Sequence, residues 1–262
     1  MSRVFSGLVL VGLLVGESFA APVTYTFSTG PLLPFSSTFN LDGQGAITAA
    51  DLAATQSLNA MFAGTSLMGT FTYDPVTPLS NIIAGRGSSY VASMTNLSAT
   101  LVGGSLAGRT ITDPRGQTVV NDGDLPCTTC PTLDILQIQA EPGNRSNLGI
   151  LNIDDSLGLT VGVQAYEVFN FRMFWNELQA VPEVIGDFLN SNALPNPLPS
   201  INGRLGLDII KVPANPLSTA NPTQSIMFFD NLRVTAVPEP DILAILGIGL
   251  VGLGFSRRKR AN

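Results

Sequence analysis

Apolar and polar residues alternate with a period of two along most of the chain. The alternation is clean at 23–27 (Val-Thr-Tyr-Thr-Phe) and at 69–75, which ends in a proline turn. Similar runs lie at 89–106, where Thr95-Asn96 separates two of them, and at 133–140, 148–153, 157–163, 168–175, 204–212 and 225–237. Because successive side chains of a strand point to opposite faces, this pattern predicts about ten strands.

Turn signals separate these runs and indicate the fold class. They are Asp113-Pro114, Asn121-Asp122-Gly123, Glu141-Pro142-Gly143-Asn144 and Asn202-Gly203. Only two short stretches, 49–60 and 182–189, favour a helix, and Pro182 suits the first turn of the second one. Short loops without a β-α-β rhythm predict an all-β fold, an antiparallel β-sandwich of jelly-roll type, over 21–236.

The first 20 residues have the features of a secretory signal peptide. Arg3 precedes an apolar stretch at 4–16, and small residues lie at positions −3 and −1 of a bond between Ala20 and Ala21. This arrangement predicts export and cleavage after Ala20. An uncleaved anchor helix is the alternative.

The last residues form a second segment directed to the membrane. Residues 242–255 carry no charge, but as a helix they span about 21 Å against a hydrocarbon core of about 30 Å. Local thinning of the bilayer and snorkelling of the basic residues could accommodate the difference. A proline-containing motif precedes this segment and a basic run follows it: Val237, Pro238, Glu239 and Pro240, then Arg257, Arg258, Lys259 and Arg260.

The order of these three elements resembles the PEP-CTERM sorting signal of Gram-negative bacteria over 237–262. The resemblance implies a transmembrane sorting helix at 242–255, recognition by the membrane protease exosortase, and export in bacteria that often make exopolysaccharide. The protein would first be anchored in the inner membrane with its C-terminus in the cytoplasm. Residues 69–75 and 228–236 also resemble PEP-CTERM ectodomains, a likeness that supports the architecture without implying a chemistry.

Composition narrows the functions that the domain could perform. The chain of 262 residues contains no histidine, which excludes Ser-His-Asp and Cys-His catalysis and most zinc, copper and haem sites. The formal net charge is −6, and an acidic protein repels phosphate backbones. We therefore expect no nucleic-acid partner and no enzyme of these classes.

One loop has the spacing of a calcium site. Oxygen-bearing side chains occupy positions 1, 3, 5, 9 and 12 of a loop of the EF-hand kind: Asn40, Asp42, Gln44, Thr48 and Asp51. The loop contains two carboxylates and lacks the bidentate glutamate of that family at position 12. We favour a plain hairpin turn at Asp42-Gly43-Gln44-Gly45, with calcium as the alternative cofactor.

The only two cysteines, Cys127 and Cys130, are three positions apart. A zinc site needs further soft ligands, and a thioredoxin-like role needs an α/β context that this chain lacks. For an exported protein, a local disulfide is the favoured interpretation.

These observations predict a non-enzymatic protein of the cell surface or extracellular matrix, associated with exopolysaccharide. One alternative is a glycan hydrolase or lyase that uses paired carboxylates such as Asp154-Asp155, and another is a calcium-dependent adhesin. A stripe on one strand face could stack on sugar rings, although a core position is favoured for it. Its members are Phe169, Phe171, Met173 and Trp175.

Overall fold

The computed structural model describes residues 21–40, 47–83, 87–123, 133–140, 153–176, 187–212 and 223–238. Within these ranges the chain forms one antiparallel sheet of 12 strands and one helix. The elements are β1 (Val23–Ser28), β2 (Leu32–Asn40), α1 (Ala49–Met61), β3 (Ser66–Tyr73), β4 (Asn81–Ile83), β5 (Gly87–Val102), β6 (Thr110–Asn121), β7 (Ile135–Ala140), β8 (Asp154–Asp155), β9 (Leu159–Val161), β10 (Gln164–Asn176), β11 (Gly203–Lys211) and β12 (Thr223–Ala236).

Eight of the strands close into an antiparallel barrel. Their order around the barrel is β1, β3, β5, β6, β7, β10, β11 and β12, and β12 pairs with β1 to complete it. The closing pair runs from Tyr25 opposite Ala236 to Ser28 opposite Arg233. The four remaining strands extend the sheet outside the barrel: β4 pairs with β5, β2 with β12, β8 with β6, and β9 with β10.

The predicted β-sandwich of jelly-roll type is therefore wrong. Alternation identifies which face of a strand is buried, and that pattern is the same in a sandwich and in a small closed barrel. The difference depends on pairing between the first and last strands, where Thr26 and Thr235 are in contact although they lie 209 positions apart. No local pattern encodes a contact of that separation.

The barrel interior is filled by large side chains from all eight strands. Phe71, Phe171, Met173, Trp175 and Phe229 are at most 1% exposed and belong to one continuous core. Edge-to-face and stacked aromatic pairs, such as Tyr25 with Phe71 at 5.6 Å, pack its layers. A filled interior of this kind is what an eight-stranded barrel allows.

Strands β5 and β6 are continuous where breaks were expected. β5 has left-handed residues at Ala92 (φ 62°), within the register shift between Val91 and Met94, and at Asn96 (φ 54°). Asn96 and Pro114 lie between the paired residues Thr95–Arg115 and Leu97–Asp113. The break expected at Thr95-Asn96 and the turn expected at Asp113-Pro114 therefore lie within strands.

Helix α1 packs over one end of the barrel, close to its predicted range of 49–60. Leu58 and Phe62 are fully buried, and the Phe62 ring meets that of Phe229 at 6.3 Å. The Thr55 hydroxyl lies 2.7 Å from the Ser225 hydroxyl of β12. Of the second predicted helix, 182–189, the described residues 187–189 are not helical.

The opposite end is covered by residues 187–202, which we call the end segment. Tyr73 donates its hydroxyl to the Pro195 carbonyl at 3.0 Å, and Tyr90 donates to the Asn192 carbonyl at 2.6 Å. Leu189, Leu194 and Leu198 of the end segment are buried against the core; further bonds join Trp175 Nε1 to the Ile201 carbonyl and the Leu198 amide to Tyr25 Oη.

Over the described ranges, no helix has the length and apolarity that a bilayer crossing requires. The membrane segment expected at 242–255 falls outside those ranges.

Candidate functional site

Charged and amide side chains lie next to one another on the outer face of β10, β11 and β12. Outward positions alternate with the core positions along each strand, so the register brings Asn170 opposite Asp208 and Arg172 opposite Gly206. On the other side of β11, Ile210 lies opposite Gln224. We call Asn170, Arg172, Asp208 and Gln224 the Asp208 cluster.

Asp208 is the centre of this cluster and is 2% exposed. Its Oδ1 accepts a charge-assisted bond from Arg172 Nη2 at 2.5 Å, and the side chains of Gln224 and Asn170 also hydrogen-bond to it. Burial raises the pKa of Asp208 above its ordinary value, while these three donors act in the opposite direction. The carboxylate is thus hydrogen-bonded to one guanidinium and two amide groups on the outer face of the sheet.

Two polar atoms of the cluster are buried without a hydrogen-bond partner. They are Asn170 Oδ1 and Arg172 Nε, and Asn170 is 6% exposed. Because a carboxylate only accepts, Asn170 must present its NH₂ group to Asp208, which turns Oδ1 away from it. Likewise, Arg172 uses Nη2 for Asp208 and leaves Nε unused. Such orphaned groups are costly, and they call for an explanation.

An aromatic pair lies next to the cluster on the same face. Phe174 and Phe228 are half-buried, and their rings meet edge to face at 6.4 Å. Gly206 is buried beside both rings: a Cβ added there would be 3.5 Å from Ile226, 3.7 Å from Phe174 and 3.8 Å from Phe228. These three side chains therefore pack closely over Gly206 on the outer face of the sheet.

A second ion pair lies on the same face of the sheet. Arg204 Nε donates to Asp230 Oδ1 at 2.6 Å, and the two side chains are 24% and 16% exposed. The Arg172 side chain is 25% exposed, so both arginines are partly exposed to solvent. Two arginines and two aspartates in pairs make the site neutral overall.

The end of the barrel sheet leads directly into a recognised sorting signal. Residues 236–259 match the family model of the PEP-CTERM protein-sorting motif, beginning at Ala236, the last residue of β12. The chain is a PEP-CTERM sorting domain-containing protein. No curated protein and no solved structure matches it.

The match confirms the resemblance found in the sequence. It includes Val237 to Pro240 and Arg257 to Lys259, while Arg260 lies one residue beyond it. The PEP-CTERM motif implies exosortase-dependent sorting of an exported protein that is transiently anchored in a membrane by its C-terminus. Val237 and Pro238 are the part of the motif that the structure describes.

In this PEP-CTERM protein, the Asp154-Asp155 pair is placed on the two-residue strand β8. The Asp155 carboxylate accepts the backbone N–H of Leu157 at 3.0 Å and that of Val168 at 2.9 Å, whereas Asp154 is exposed. Asp155 therefore ties a loop to β10. Asp122 is buried elsewhere, at the end of the barrel that the end segment covers, where its N–H donates to Asn192 Oδ1.

Two residues of the predicted calcium loop form a helix cap. Asp51 Oδ2 accepts the N–H of Thr48 at 2.9 Å and its hydroxyl at 2.7 Å, while Thr48 Oγ1 accepts the N–H of Asp51 at 3.2 Å. This reciprocal capping box starts α1. Asp42 and Gln44 lie outside the described residues, as does the Asn40 side chain, so calcium binding stays a prediction.

The hydrophobic stripe of β10 belongs to the core. Phe171, Met173 and Trp175 are fully buried, and a bulge between Val168 and Asn170 removes Phe169 from their register. Cys127, Cys130 and the cleavage-site residue Ala20 lie outside the described residues, whereas Ala21 is exposed at their start. The disulfide and the cleavage site stay predictions.

The apolar stripe of β10 did not predict the Asp208 cluster, because Asn170 and Arg172 alternate with the stripe and outward positions of a strand are expected to face solvent. A usable signal was present: Arg172 and Asp208 are charges in the middle of otherwise apolar strands. In a protein with 12% charged residues, such charges indicate a pair.

Proposed function

We propose that this PEP-CTERM protein is a non-enzymatic component of the cell envelope or extracellular matrix that associates with exopolysaccharide. The sorting motif at 236–259 carries the first part of the proposal, because it implies export and release at the membrane. Export by this route brings the folded barrel to the compartment where exopolysaccharide accumulates.

The Asp208 cluster and its aromatic pair support the second part. Polar groups that fix orientation, placed beside aromatic rings, are the usual composition of a small-molecule or sugar site. The Asp208 cluster and the Phe174–Phe228 pair place both elements on one face of the sheet. By contrast, the backbone bonds of Asp155 favour a structural role for it over glycan hydrolysis.

Fractionation of cells that express the tagged protein tests its localisation. We expect the full chain in membrane and extracellular fractions, with the signal peptide removed, and we expect deletion of 237–262 to abolish the membrane-bound form. Intact, unprocessed chain in the cytosol would contradict the proposal.

Association with exopolysaccharide is tested in the same cells. Deleting the genes for polysaccharide synthesis, or digesting the matrix enzymatically, should release the protein from the matrix into the medium. If the matrix-bound fraction is unchanged, the polysaccharide part of the proposal is wrong, and the proposed localisation is unaffected.

A further inference from the structure

Four exposed apolar side chains lie close together at one end of the barrel. Val76 and Leu79 belong to the loop between β3 and β4, Ile82 lies on β4, and Val91 lies on β5, the strand with which β4 pairs. Their exposed fractions are 56%, 51%, 65% and 41%. We call these four residues the apolar patch. A group of exposed apolar side chains marks a surface that contacts a protein or a membrane.

Hydrogen bonds hold the apolar patch in place. Ser80 donates its N–H to the Ser89 carbonyl, and its hydroxyl accepts the N–H of Val91, both at 2.9 Å. The N–H of Val76 donates to the Asp74 carboxylate at 3.0 Å. Because these bonds fix the loop against β5, its apolar side chains cannot turn inward without breaking them.

The apolar patch lies at the end of the barrel from which the sorting signal leaves. The Val237 N–H donates to the Thr24 carbonyl, and Thr24 lies opposite Thr72 on the other side of β1. Val237 and Thr72 are therefore two strand spacings apart, or about 10 Å. The loop that carries Val76 and Leu79 begins just after Tyr73, the next residue along β3. We call this the tail-side end of the barrel.

The chain between the barrel and the membrane-directed segment is short. The apolar segment 242–255 begins five residues after Val237, and five residues span at most about 18 Å. The segment is also shorter than a bilayer core, and such a mismatch draws the flanking residues towards the bilayer. While the protein is anchored by its C-terminus, the tail-side end therefore stays close to the membrane.

Along the described chain, the tail-side end is nearly free of charge. Residues 75–83 and 188–203, which include β4 and most of the end segment, contain no Asp, Glu, Lys or Arg, although Asp74 and Asp187 border them. Charged side chains lie on the surface at the opposite end: Asp51, Arg109, Asp154 and Lys211. Because charges resist transfer from water into a lipid surface, the tail-side end is the one suited to contact lipid.

We propose that the apolar patch inserts into the headgroup region of the membrane in which the C-terminal segment is anchored. The anchored barrel then rests on the bilayer by its tail-side end, with the end covered by α1 facing away. Lipid is the occupant that the position favours, because the patch lies beside the chain that enters the bilayer. The inference goes beyond the proposed function and does not depend on association with exopolysaccharide.

Tryptophans introduced at two exposed sites test the contact. Leu79→Trp labels the apolar patch, and Val163→Trp is the matched control, because Val163 is fully exposed in the turn before β10, at the opposite end. The native Trp175 is fully buried and gives both variants the same background. The full chain, purified with its C-terminal segment intact, is reconstituted into phosphatidylcholine vesicles with or without bromine on the acyl chains. Bromine quenches tryptophan only at short range.

We expect Leu79→Trp to lose about half of its emission in brominated vesicles, because one of its two tryptophans would contact lipid at the acyl boundary. Val163→Trp should emit equally in both kinds of vesicle. Adding Ile82→Glu to Leu79→Trp should abolish the loss, because a carboxylate resists entry into lipid. Adding Val163→Glu should leave the loss unchanged, and melting temperatures establish that all variants are folded.

Flotation of the vesicles separates this inference from anchoring. Equal emission of Leu79→Trp in both kinds of vesicle, from protein that floats with them, overturns the inference and leaves the proposed localisation standing. Equal quenching of Leu79→Trp and Val163→Trp, or quenching that about 1 M salt abolishes, also overturns it, because salt does not screen an apolar contact. Protein that does not float overturns both. If Leu79→Trp fails to fold, Val76→Trp decides by the same comparison.

Discussion

Asp134 holds the end segment on the barrel: its carboxylate accepts two backbone bonds from that segment and a third from Gly123, which follows β6. Its Oδ2 accepts the N–H groups of Phe188 and Leu189, each at 2.7 Å, and its Oδ1 accepts the N–H of Gly123 at 3.1 Å. Asp134 is 2% exposed. Burial alone would raise its pKa, but these three bonds, together with a hydrogen bond to the Asp187 side chain, outweigh it and hold the pKa below the ordinary value of 3.8.

Asp134→Asn should cost about 2–3 kcal/mol of folding free energy. The carbonyl oxygen of the asparagine side chain can still accept the N–H groups of Phe188 and Leu189. Because that oxygen is uncharged, each of these two bonds is weakened by about 1 kcal/mol. The asparagine NH₂ group then faces the third N–H, at Gly123, which becomes an unpaired donor and adds about 1 kcal/mol. For a domain of this size, the loss lowers Tm by roughly 5–10 °C.

Thermal unfolding followed by circular dichroism at several pH values measures this effect. Because the pKa of Asp134 is lower in the folded state than in the unfolded chain, the ionised carboxylate stabilises the fold at pH values above the ordinary pKa of 3.8. This stabilisation is lost as the pH falls below 3.8 and through the folded-state pKa. The Tm difference between wild type and Asp134→Asn should thus be constant above about pH 5 and shrink below about pH 4.

Asp154→Asn is the matched control, because Asp154 is exposed and the same chemical change there should shift Tm by less than about 1 °C. A Tm for Asp134→Asn within about 2 °C of wild type at pH 7 would refute the reasoning. So would a difference that persists unchanged at pH 3, since the wild-type carboxyl would then contribute nothing through its charge.

Two further predictions concern packing and the cysteines. Gly69→Ala should destabilise the protein by about 2–3 kcal/mol in denaturant titrations. Its Cβ would overlap the Ser98 carbonyl oxygen and come within 2.7 Å of the Phe27 ring. At Gly206 the nearest atom to an added Cβ is 3.5 Å away, so equal stabilities of Gly69→Ala and Gly206→Ala would contradict this prediction. Alkylation of the exported protein should label neither Cys127 nor Cys130 before reduction and both after it, and labelling without reduction would exclude the predicted disulfide.

Sequence patterns were informative where a strand follows its local alternation. β1, β3, β7 and most of β10, β11 and β12 coincide with alternating runs, and α1 begins where Thr48 and Asp51 form its cap. β6 was missed because Asp113-Pro114 has the composition of a turn. In the barrel, Pro114 lies inside a continuous strand, between Asp113 and Arg115, which pair with Leu97 and Thr95 of β5.

Closure of the sheet and the candidate site could not be derived in the same way. Both depend on register between strands that are distant in the chain: β1 with β12 for closure, and β10 with β11 for the pairing of Arg172 with Asp208. An alternating pattern predicts that outward positions face solvent, and it does not distinguish an isolated charge from one buried beside its counterion. The sorting signal, in contrast, is contiguous and needs no register, so it was recognisable from the sequence.

The pairing of β1 with β12 has a consequence for the timing of folding during export. The Val237 N–H donates to the Thr24 carbonyl at 2.8 Å, and the next residue, Pro238, has no N–H to continue the ladder. Pro238, the first proline of the sorting signal, therefore ends the hydrogen bonding between the last strand and β1. A chain that crosses a membrane from its N-terminus delivers β1 first and its partner last, so we expect the barrel to remain open until the tail itself reaches the translocation channel.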